Sequence, residues 1–260
     1  MTAAIGVTDL TLGYDGHPAV HHLTGTFAPG SLTAIVGPNG SGKSTLLKGL
    51  MGMLKPLGGS IDLGNVSVRE MAYLPQSAEI DRTFPATVAD LVLLGLWRKR
   101  GLLGAVRRED RSAVESALQA VGLEGFAGRP LETLSGGQLQ RALFARVILQ
   151  DARIILLDEP FTAIDEPTVG DLLAIVRGWH GDGRTVIAVL HDNGLVRDNF
   201  PLALLLAREP IAWGPSVETL SPANLARARQ MPEAWDEHAP WHDAAADGHA
   251  HDHHRHDERV

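Results

Sequence analysis

The segment GPNGSGKST at residues 37–45 contains the residue types that bind phosphate groups. It fits the pattern G-x-x-x-x-G-K-[ST] through Gly37, Gly42, Lys43 and Ser44. Glycines let the backbone curl so that its N–H groups converge on phosphate oxygens, and a helix after the loop adds the positive end of its dipole. We expect Lys43 to neutralise the β- and γ-phosphates of a nucleoside triphosphate and the Ser44 hydroxyl to bind Mg²⁺. The predicted phosphate-binding set also includes the rest of the segment: Pro38, Asn39, Gly40, Ser41 and Thr45.

Two acidic residues, Asp158 and Glu159, follow an apolar run at residues 154–157. A buried parallel strand would present both carboxylates at its carboxyl end, where ligands bind in open α/β sheets. We expect Asp158 to hold Mg²⁺ through water and Glu159 to polarise an attacking water as a general base. The alternative is a solvated acidic pair, which the phosphate-binding loop upstream disfavours. The two segments together predict Mg²⁺-dependent hydrolysis of a nucleoside triphosphate.

A third segment, LSGGQLQR at residues 134–141, predicts the start of a helix. Ser135, Gly136 and Gly137 would offer bare backbone N–H groups at the positive end of the helix dipole. On its own the segment favours an ordinary helix with a serine N-cap.

In this order, the three segments resemble those of the ATP-binding subunits of ABC transporters, over about residues 5–220. The Ser-Gly-Gly-Gln sequence is the specific part, because many unrelated ATPases share the other two motifs. The resemblance implies an α/β fold: a P-loop NTPase (RecA-like) core with an antiparallel β subdomain and an inserted α-helical signature subdomain at about residues 80–148. These would form one nucleotide-binding domain, residues 1–230.

The resemblance also implies that two subunits close head to tail. The signature of one subunit then caps ATP on the phosphate-binding loop of the other. Ser135 and Gly137 would therefore act in trans, and Gly136 and Gln138 belong to the same predicted binding set.

Four further positions follow from the resemblance. Tyr14 would stack on adenine, with a half-buried core tyrosine as the alternative. Gln76, in AYLPQ, would sense the γ-phosphate and Mg²⁺, and Asp165, in FTAID, would lie in a loop that crosses the dimer. His191 would contact the γ-phosphate. The predicted catalytic set is then Lys43, Gln76, Glu159 and His191, with ATP and Mg²⁺ bound.

The flanking sequence predicts the elements that must position these residues. Short apolar runs broken by Gly, Asp and Pro predict strands and turns over residues 5–36, with the last strand at 31–36. Leucine spacing predicts a helix at 44–51, and residues 87–149 are expected to be mostly helical. The continuous apolar run at 185–190 predicts a second buried parallel strand.

Two longer stretches, residues 83–110 and 189–228, resemble those of zinc and manganese importer ATPases. Iron-siderophore and haem importer ATPases look alike there, so both remain alternatives. A soluble ABC ATPase without a membrane partner, such as one serving cofactor assembly, is a further alternative.

The segment 231–260 is polar, acidic and rich in histidine, and we expect a disordered tail. Imidazole and carboxylate groups suit zinc and other first-row divalent ions, as a low-affinity buffer or a sensor. A solvated tail, a cloning tag and a chain that serves chiefly as a metal buffer are alternatives. The predicted zinc ligands are His249, His251, His253, His254 and His256.

Composition limits the remaining possibilities. The net charge of −8 disfavours nucleic acid as a partner, and the absence of cysteine excludes disulfides and thiol catalysis. No apolar run reaches the length of a membrane span, and the first residues do not resemble an export signal. The family resemblance implies a homodimer that attaches peripherally to the cytoplasmic face of the inner membrane. Its partners would be polytopic permease subunits and, indirectly, an extracytoplasmic metal-binding protein.

Overall fold

A six-stranded sheet lies at the centre of the computed structural model, which describes residues 4–97 and 105–230. Its strand order is β5-β6-β7-β3-β8-β9, and a second, three-stranded sheet has the order β2-β1-β4. The strands are β1 (Ile5–Tyr14), β2 (His17–Phe27), β3 (Leu32–Val36), β4 (Gly58–Asp62), β5 (Met71–Leu74), β6 (Ile154–Asp158), β7 (Thr185–Val189), β8 (Leu202–Ala207) and β9 (Glu209–Pro215).

Helices cover both faces of the large sheet. They are α1 (Lys43–Leu50), α2 (Val88–Leu93), α3 (Arg108–Ala120), α4 (Gly136–Gln150), α5 (Glu166–Gly181), α6 (Asn193–Asn199), α7 (Ser216–Thr219) and α8 (Pro222–Arg229). None of these described helices is long and apolar enough to cross a bilayer.

The strands from β5 to β8 run parallel, and only the edge strand β9 is antiparallel to its neighbour. The strands β3, β6 and β7 are buried along their whole length. This explains their continuous apolar sequences, because a parallel strand covered on both faces has no solvent-facing side. The small sheet is antiparallel, as the family resemblance implied.

Two apolar cores lie on opposite faces of the large sheet. Ile155 and Leu157 point to the core formed with α2, α3, α4 and α5, whereas Ile154 and Leu156 point to the core shared with α1 and the small sheet. This alternation is the period of two that a strand imposes on its side chains. The fold class predicted from the sequence is therefore confirmed.

Several predicted boundaries shift by a few residues. The predicted helix at 44–51 is α1, and the strand predicted from residue 31 begins at Leu32. Helix α3 begins at Arg108, where Asp110 accepts a hydrogen bond from the Arg107 backbone N–H at 2.8 Å. Within the region expected to be mostly helical, α3 and α4 are separated by turns and by a short 3-10 helix, Leu131–Thr133.

Side chains of α4 cover the open edge of β5. The Arg146 guanidinium donates to the backbone oxygen of Tyr73 at 2.7 Å, and the Gln150 amide donates to that of Met71 at 2.9 Å. Arg146 and Gln150 are four residues apart, which is about 6 Å along a helix. Tyr73 and Met71 are two residues apart, which is about 6.6 Å along a strand, so the two spacings match. The signature helix is thereby attached to the edge of the central sheet.

Candidate active site

Four neighbouring parallel strands end at the same edge of the large sheet, and each is followed by a segment that the sequence singled out. Gln76 follows β5, and Asp158 and Glu159 lie at the end of β6. His191 follows β7, and the phosphate-binding loop follows β3. Although these segments are far apart in the chain, strand pairing brings them together. The carboxyl edge of a parallel sheet is where ligands bind in this class of fold.

The loop between β3 and α1 requires glycine at particular positions. Gly42, the N-cap of α1, has a φ of 90°, and a Cβ there would lie 2.4 Å from the Ala19 backbone oxygen. At Gly37 a Cβ would lie 1.8 Å from the Leu206 backbone oxygen. No side chain caps the amino end of α1, which is the arrangement of a helix that presents its N–H groups to an anion.

The side chain of Lys43, the first residue of α1, extends back into this loop, and the residue is only 6% exposed. Its ammonium group donates to the backbone oxygens of Gly37 at 3.0 Å and Pro38 at 2.8 Å. Burial lowers the pKa of Lys43, and the nearby carboxylates of Glu159 and Asp158 partly offset this effect. A cation held at this depth can compensate the charge of a bound phosphate group.

The Asp158 carboxylate is completely buried and accepts a different donor on each oxygen. Ser44 donates to Oδ1 at 2.9 Å, and the Tyr73 hydroxyl donates to Oδ2 at 3.2 Å. Burial raises the pKa of Asp158, whereas these two hydrogen bonds act in the opposite direction. A hydroxyl oxygen and a carboxylate oxygen side by side are hard donors of the type that Mg²⁺ prefers, so these residues fit the ion.

The Glu159 side chain lies between those of Gln76 and His191, two of the other predicted catalytic residues. Its Oε1 accepts a hydrogen bond from Gln76 Nε2 at 3.0 Å and lies 2.7 Å from His191 Nε2. Gln76 Nε2 also lies 3.4 Å from Ser44 Oγ, which connects this group to the Asp158 side of the site. The structure therefore brings together all four predicted catalytic residues and the residues suited to Mg²⁺.

The backbone of Glu159 adopts the left-handed conformation, with a φ of 49°. A non-glycine residue in such a region costs on the order of 1 kcal/mol and persists when its surroundings hold it there. The Glu159 N–H donates to the Val189 backbone oxygen at 3.2 Å, which fixes the residue against the end of β7. The strained turn directs the carboxylate towards His191 and Gln76.

Tyr14 closes strand β1 and is 45% exposed. This exposure fits both a stacking tyrosine and the half-buried tyrosine that was the alternative. The stacking of Tyr14 on adenine stays a prediction.

The signature residues lie at the start of α4 and form a capping box. Ser135 Oγ accepts from the Gln138 backbone N–H at 3.2 Å, and the Ser135 N–H donates to Gln138 Oε1 at 3.0 Å. Each of the two side chains is thus hydrogen-bonded to the backbone of the other residue. The role predicted for Gln138 in nucleotide binding stays a prediction.

The loop that contains Asp165 packs against the signature glycines of the same chain. A Cβ at Gly137 would lie 3.6 Å from Asp165 Oδ1. Asp165 itself caps α5, because its Oδ1 accepts from the Thr168 hydroxyl at 2.8 Å and its Oδ2 from the Thr168 N–H at 3.3 Å. These hydrogen bonds lower the pKa of Asp165.

Sequence reasoning missed two residues that support the site. Tyr73 lies within the AYLPQ segment, but an aromatic residue in a short apolar run is typical of a core position. Arg141, the last residue of the segment LSGGQLQR, was given no role; it donates to the backbone oxygen of Val121 at 2.9 Å and to Thr168 Oγ1 at 3.0 Å. It therefore connects the end of α3 to the residue that orients Asp165.

The predicted zinc ligands of the tail, His249 to His256, lie outside the described residues. Within residues 4–97 and 105–230, no cluster of three or more His, Cys, Asp or Glu side chains could hold a metal ion.

Comparison with known protein families gives one clear match. A sequence profile of the ABC transporter family matches residues 20–162. The manganese transport system ATP-binding protein MntB of Listeria monocytogenes is 38% identical over 83% of this chain and 91% of its own length. MntA of Synechocystis, of the same description, is 38% identical over 80% of this chain and 82% of its own. The zinc transport system ATP-binding protein TroB of Treponema pallidum is 35% identical over 86% of both chains.

Solved structures of ABC transporters also match this chain. An inward-facing metal-chelate-type ABC transporter matches with a TM-score of 0.77 and 28% identity, over 87% of this chain and 89% of the matched chain. A dimeric bacterial ABC transporter cassette matches with a TM-score of 0.71 and 26% identity, over 82% of this chain and 98% of the matched chain.

Proposed function

This chain belongs to the ABC transporter family and is an ATPase, and on that premise we propose that it energises the import of a divalent metal ion, zinc or manganese. One observation carries the catalytic part of the proposal. Glu159 lies in contact with both His191 and Gln76, beside the loop that contains Lys43.

We assign the general-base role to Glu159, whose carboxylate would accept a proton from the attacking water. His191 and Gln76 would orient this carboxylate and report the presence of the γ-phosphate. Lys43 would neutralise the phosphate charge. Ser44 and Asp158, with Gln76 near them, would hold Mg²⁺, which would supply positive charge to the β- and γ-phosphate oxygens.

The proposal that the substrate is zinc or manganese is based on the relatives of this chain. MntB and MntA are described as manganese transport proteins and TroB as a zinc transport protein, and each aligns over at least 80% of this chain. The histidine-rich segment 231–260 adds independent support, because imidazole groups bind the same ions.

We further propose that the working form is a head-to-tail homodimer on polytopic permease subunits, at the cytoplasmic face of the membrane. The similarity to a dimeric cassette supports the homodimer. In that dimer, Ser135, Gly137 and Asp165 of one copy would face the phosphate-binding loop of the other. An extracytoplasmic metal-binding protein would deliver the ion.

Metal uptake in a strain that lacks this gene tests the substrate. We expect uptake of labelled manganese or zinc to fall and to be restored by the wild-type gene, but not by the Glu159→Gln variant. The same cells should take up a labelled ferric siderophore and haem at the normal rate. Loss of siderophore or haem uptake, with normal manganese and zinc uptake, would show that the metal-ion assignment is wrong.

A metal-chelate importer is the second candidate, because one matched structure is of that type. The siderophore and haem measurements decide between the two. Co-purification from detergent-solubilised membranes decides against a soluble ATPase, because an importer subunit should retain a polytopic membrane protein.

Removal of residues 236–260 should abolish zinc binding outside the nucleotide site. The deleted segment contains all five predicted tail ligands, and the described residues offer no alternative cluster. Isothermal titration with zinc, in the absence of nucleotide, compares the full chain with the truncated chain. A full chain in which those five histidines are replaced by asparagine is the matched control for length. Unchanged zinc binding after truncation would contradict a metal-binding role for the tail.

A further inference from the structure

Building on the proposed Mg²⁺ site, we infer that Tyr73 is a positioning residue whose hydroxyl holds the Asp158 carboxylate in the orientation that the metal ion requires. Tyr73 does not belong to the phosphate-binding loop, the signature or the acidic pair. It acts from the edge strand β5, through a single hydrogen bond to the far side of the carboxylate.

The two oxygens of Asp158 have different partners, which gives each a different role. Oδ1 lies 2.9 Å from Ser44 Oγ, on the side of the phosphate-binding loop. Oδ2 faces Tyr73, whose hydroxyl donates to it at 3.2 Å. A carboxylate held on one oxygen cannot rotate freely about its Cβ–Cγ bond. The Tyr73 hydrogen bond therefore keeps Oδ1 directed towards Ser44, where the ion would be held.

Tyr73 is itself well fixed. It pairs with Leu156 in the ladder between β5 and β6, and its backbone oxygen accepts a hydrogen bond from Arg146 at 2.7 Å. Its half-buried ring packs against the core shared by α1 and the small sheet. A hydroxyl carried on a ring held in this way is a rigid donor, whereas a surface side chain would lose its orientation to rotamer motion.

The Tyr73 hydroxyl also keeps its proton. Burial and the neighbouring Asp158 carboxylate both raise the pKa of Tyr73, with burial as the larger cause. A phenolic hydroxyl is an ordinary hydrogen-bond donor at neutral pH, and its position opposite Oδ2 is what the inference uses. Hydrogen bonds to metal-binding side chains typically change metal affinity by about 10- to 100-fold when they are removed.

The variant Tyr73→Phe removes this hydrogen bond and keeps the ring. The measurement is the binding of Mn²⁺, a paramagnetic substitute for Mg²⁺, to the full chain, and electron paramagnetic resonance detects it. Each titration is done with and without a non-hydrolysable ATP analogue. The difference between the two titrations removes any Mn²⁺ bound by the tail. We expect about 10-fold weaker Mn²⁺ binding in the variant. Binding of the analogue in EDTA should be unchanged.

Ser216→Ala is the control variant, because it removes a buried hydroxyl that donates to the Phe200 backbone oxygen at the amino end of β8, on the opposite edge of the sheet from the nucleotide site. Its Mn²⁺ affinity should equal that of the wild type. In the background Asp158→Asn, Tyr73→Phe should have no further effect on Mn²⁺ affinity, because two residues that act through one contact are not additive.

Three outcomes would overturn the inference. They are wild-type Mn²⁺ affinity in Tyr73→Phe, weakened binding of the analogue in EDTA in that variant, and additive effects with Asp158→Asn. If the wild-type chain itself showed no nucleotide-dependent Mn²⁺ binding, the proposed metal site would be wrong instead. The experiment thus separates failure of the inference from failure of the site on which it rests.

Discussion

Replacement of Glu159 by glutamine is expected to abolish ATP turnover while ATP binding is retained. An amide cannot accept the proton of the attacking water, and the loss of a general base typically slows a reaction by about 100- to 10,000-fold. The amide oxygen can still accept from Gln76 and His191, which contact the carboxylate at 3.0 Å and 2.7 Å, so the geometry of the site should persist. The left-handed backbone at this position is no less accessible to glutamine than to glutamate.

The measurements are steady-state phosphate release and equilibrium binding of labelled ATP. We also expect the variant to accumulate as a closed dimer in the presence of ATP and Mg²⁺, which size-exclusion chromatography would detect. The control is Glu166→Gln, because Glu166 is an exposed acid in the first turn of α5. Hydrolysis in Glu159→Gln within about 10-fold of the wild-type rate would assign the base to another residue.

Replacement of Lys43 by alanine should weaken both ATP binding and turnover. The ammonium group is buried in the loop, and hydrogen bonds from a charged donor contribute about 1.5–3 kcal/mol. This range corresponds to a roughly 10- to 150-fold loss in affinity for ATP. AMP lacks the β- and γ-phosphates, so its affinity should change little. The contrast between the two nucleotides identifies the phosphates on which Lys43 acts.

Lys55→Ala is the control for this experiment, because Lys55 is exposed and lies beyond the end of α1. The melting temperature must be followed as well, since removal of Lys43 leaves the backbone oxygens of Gly37 and Pro38 without this donor. Equal losses of ATP and AMP affinity, together with a lower melting temperature, would indicate that Lys43 supports the loop rather than binding phosphate.

The sequence predicted the parts of the fold that depend on local chemistry. The run at 154–157 could be identified as a buried strand because it is continuously apolar and ends in acids, and it forms most of β6. The order of the strands across the sheet was not predicted, because pairing between β3 and β7 joins residues that no local pattern connects.

The residues of the candidate site fall into the same two groups, those that a local pattern predicts and those that it does not. The spacing of Gly37, Gly42, Lys43 and Ser44 carries its own chemical meaning, whereas Gln76 was identified only through the resemblance. The contact between Tyr73 and Asp158 could not be predicted, because it depends on which strands lie next to each other. The capping box at Ser135 did have a signal, since serine followed three residues later by glutamine is its pattern.

The attachment of α4 to β5 has a consequence for how this molecule meets others. An open strand edge is where a sheet can add a strand from another molecule, and this is a common route to aggregation. Here two edge carbonyls, those of Met71 and Tyr73, are already bonded to Gln150 and Arg146. The helix that begins with the signature thus also blocks the addition of a strand from another molecule at this edge.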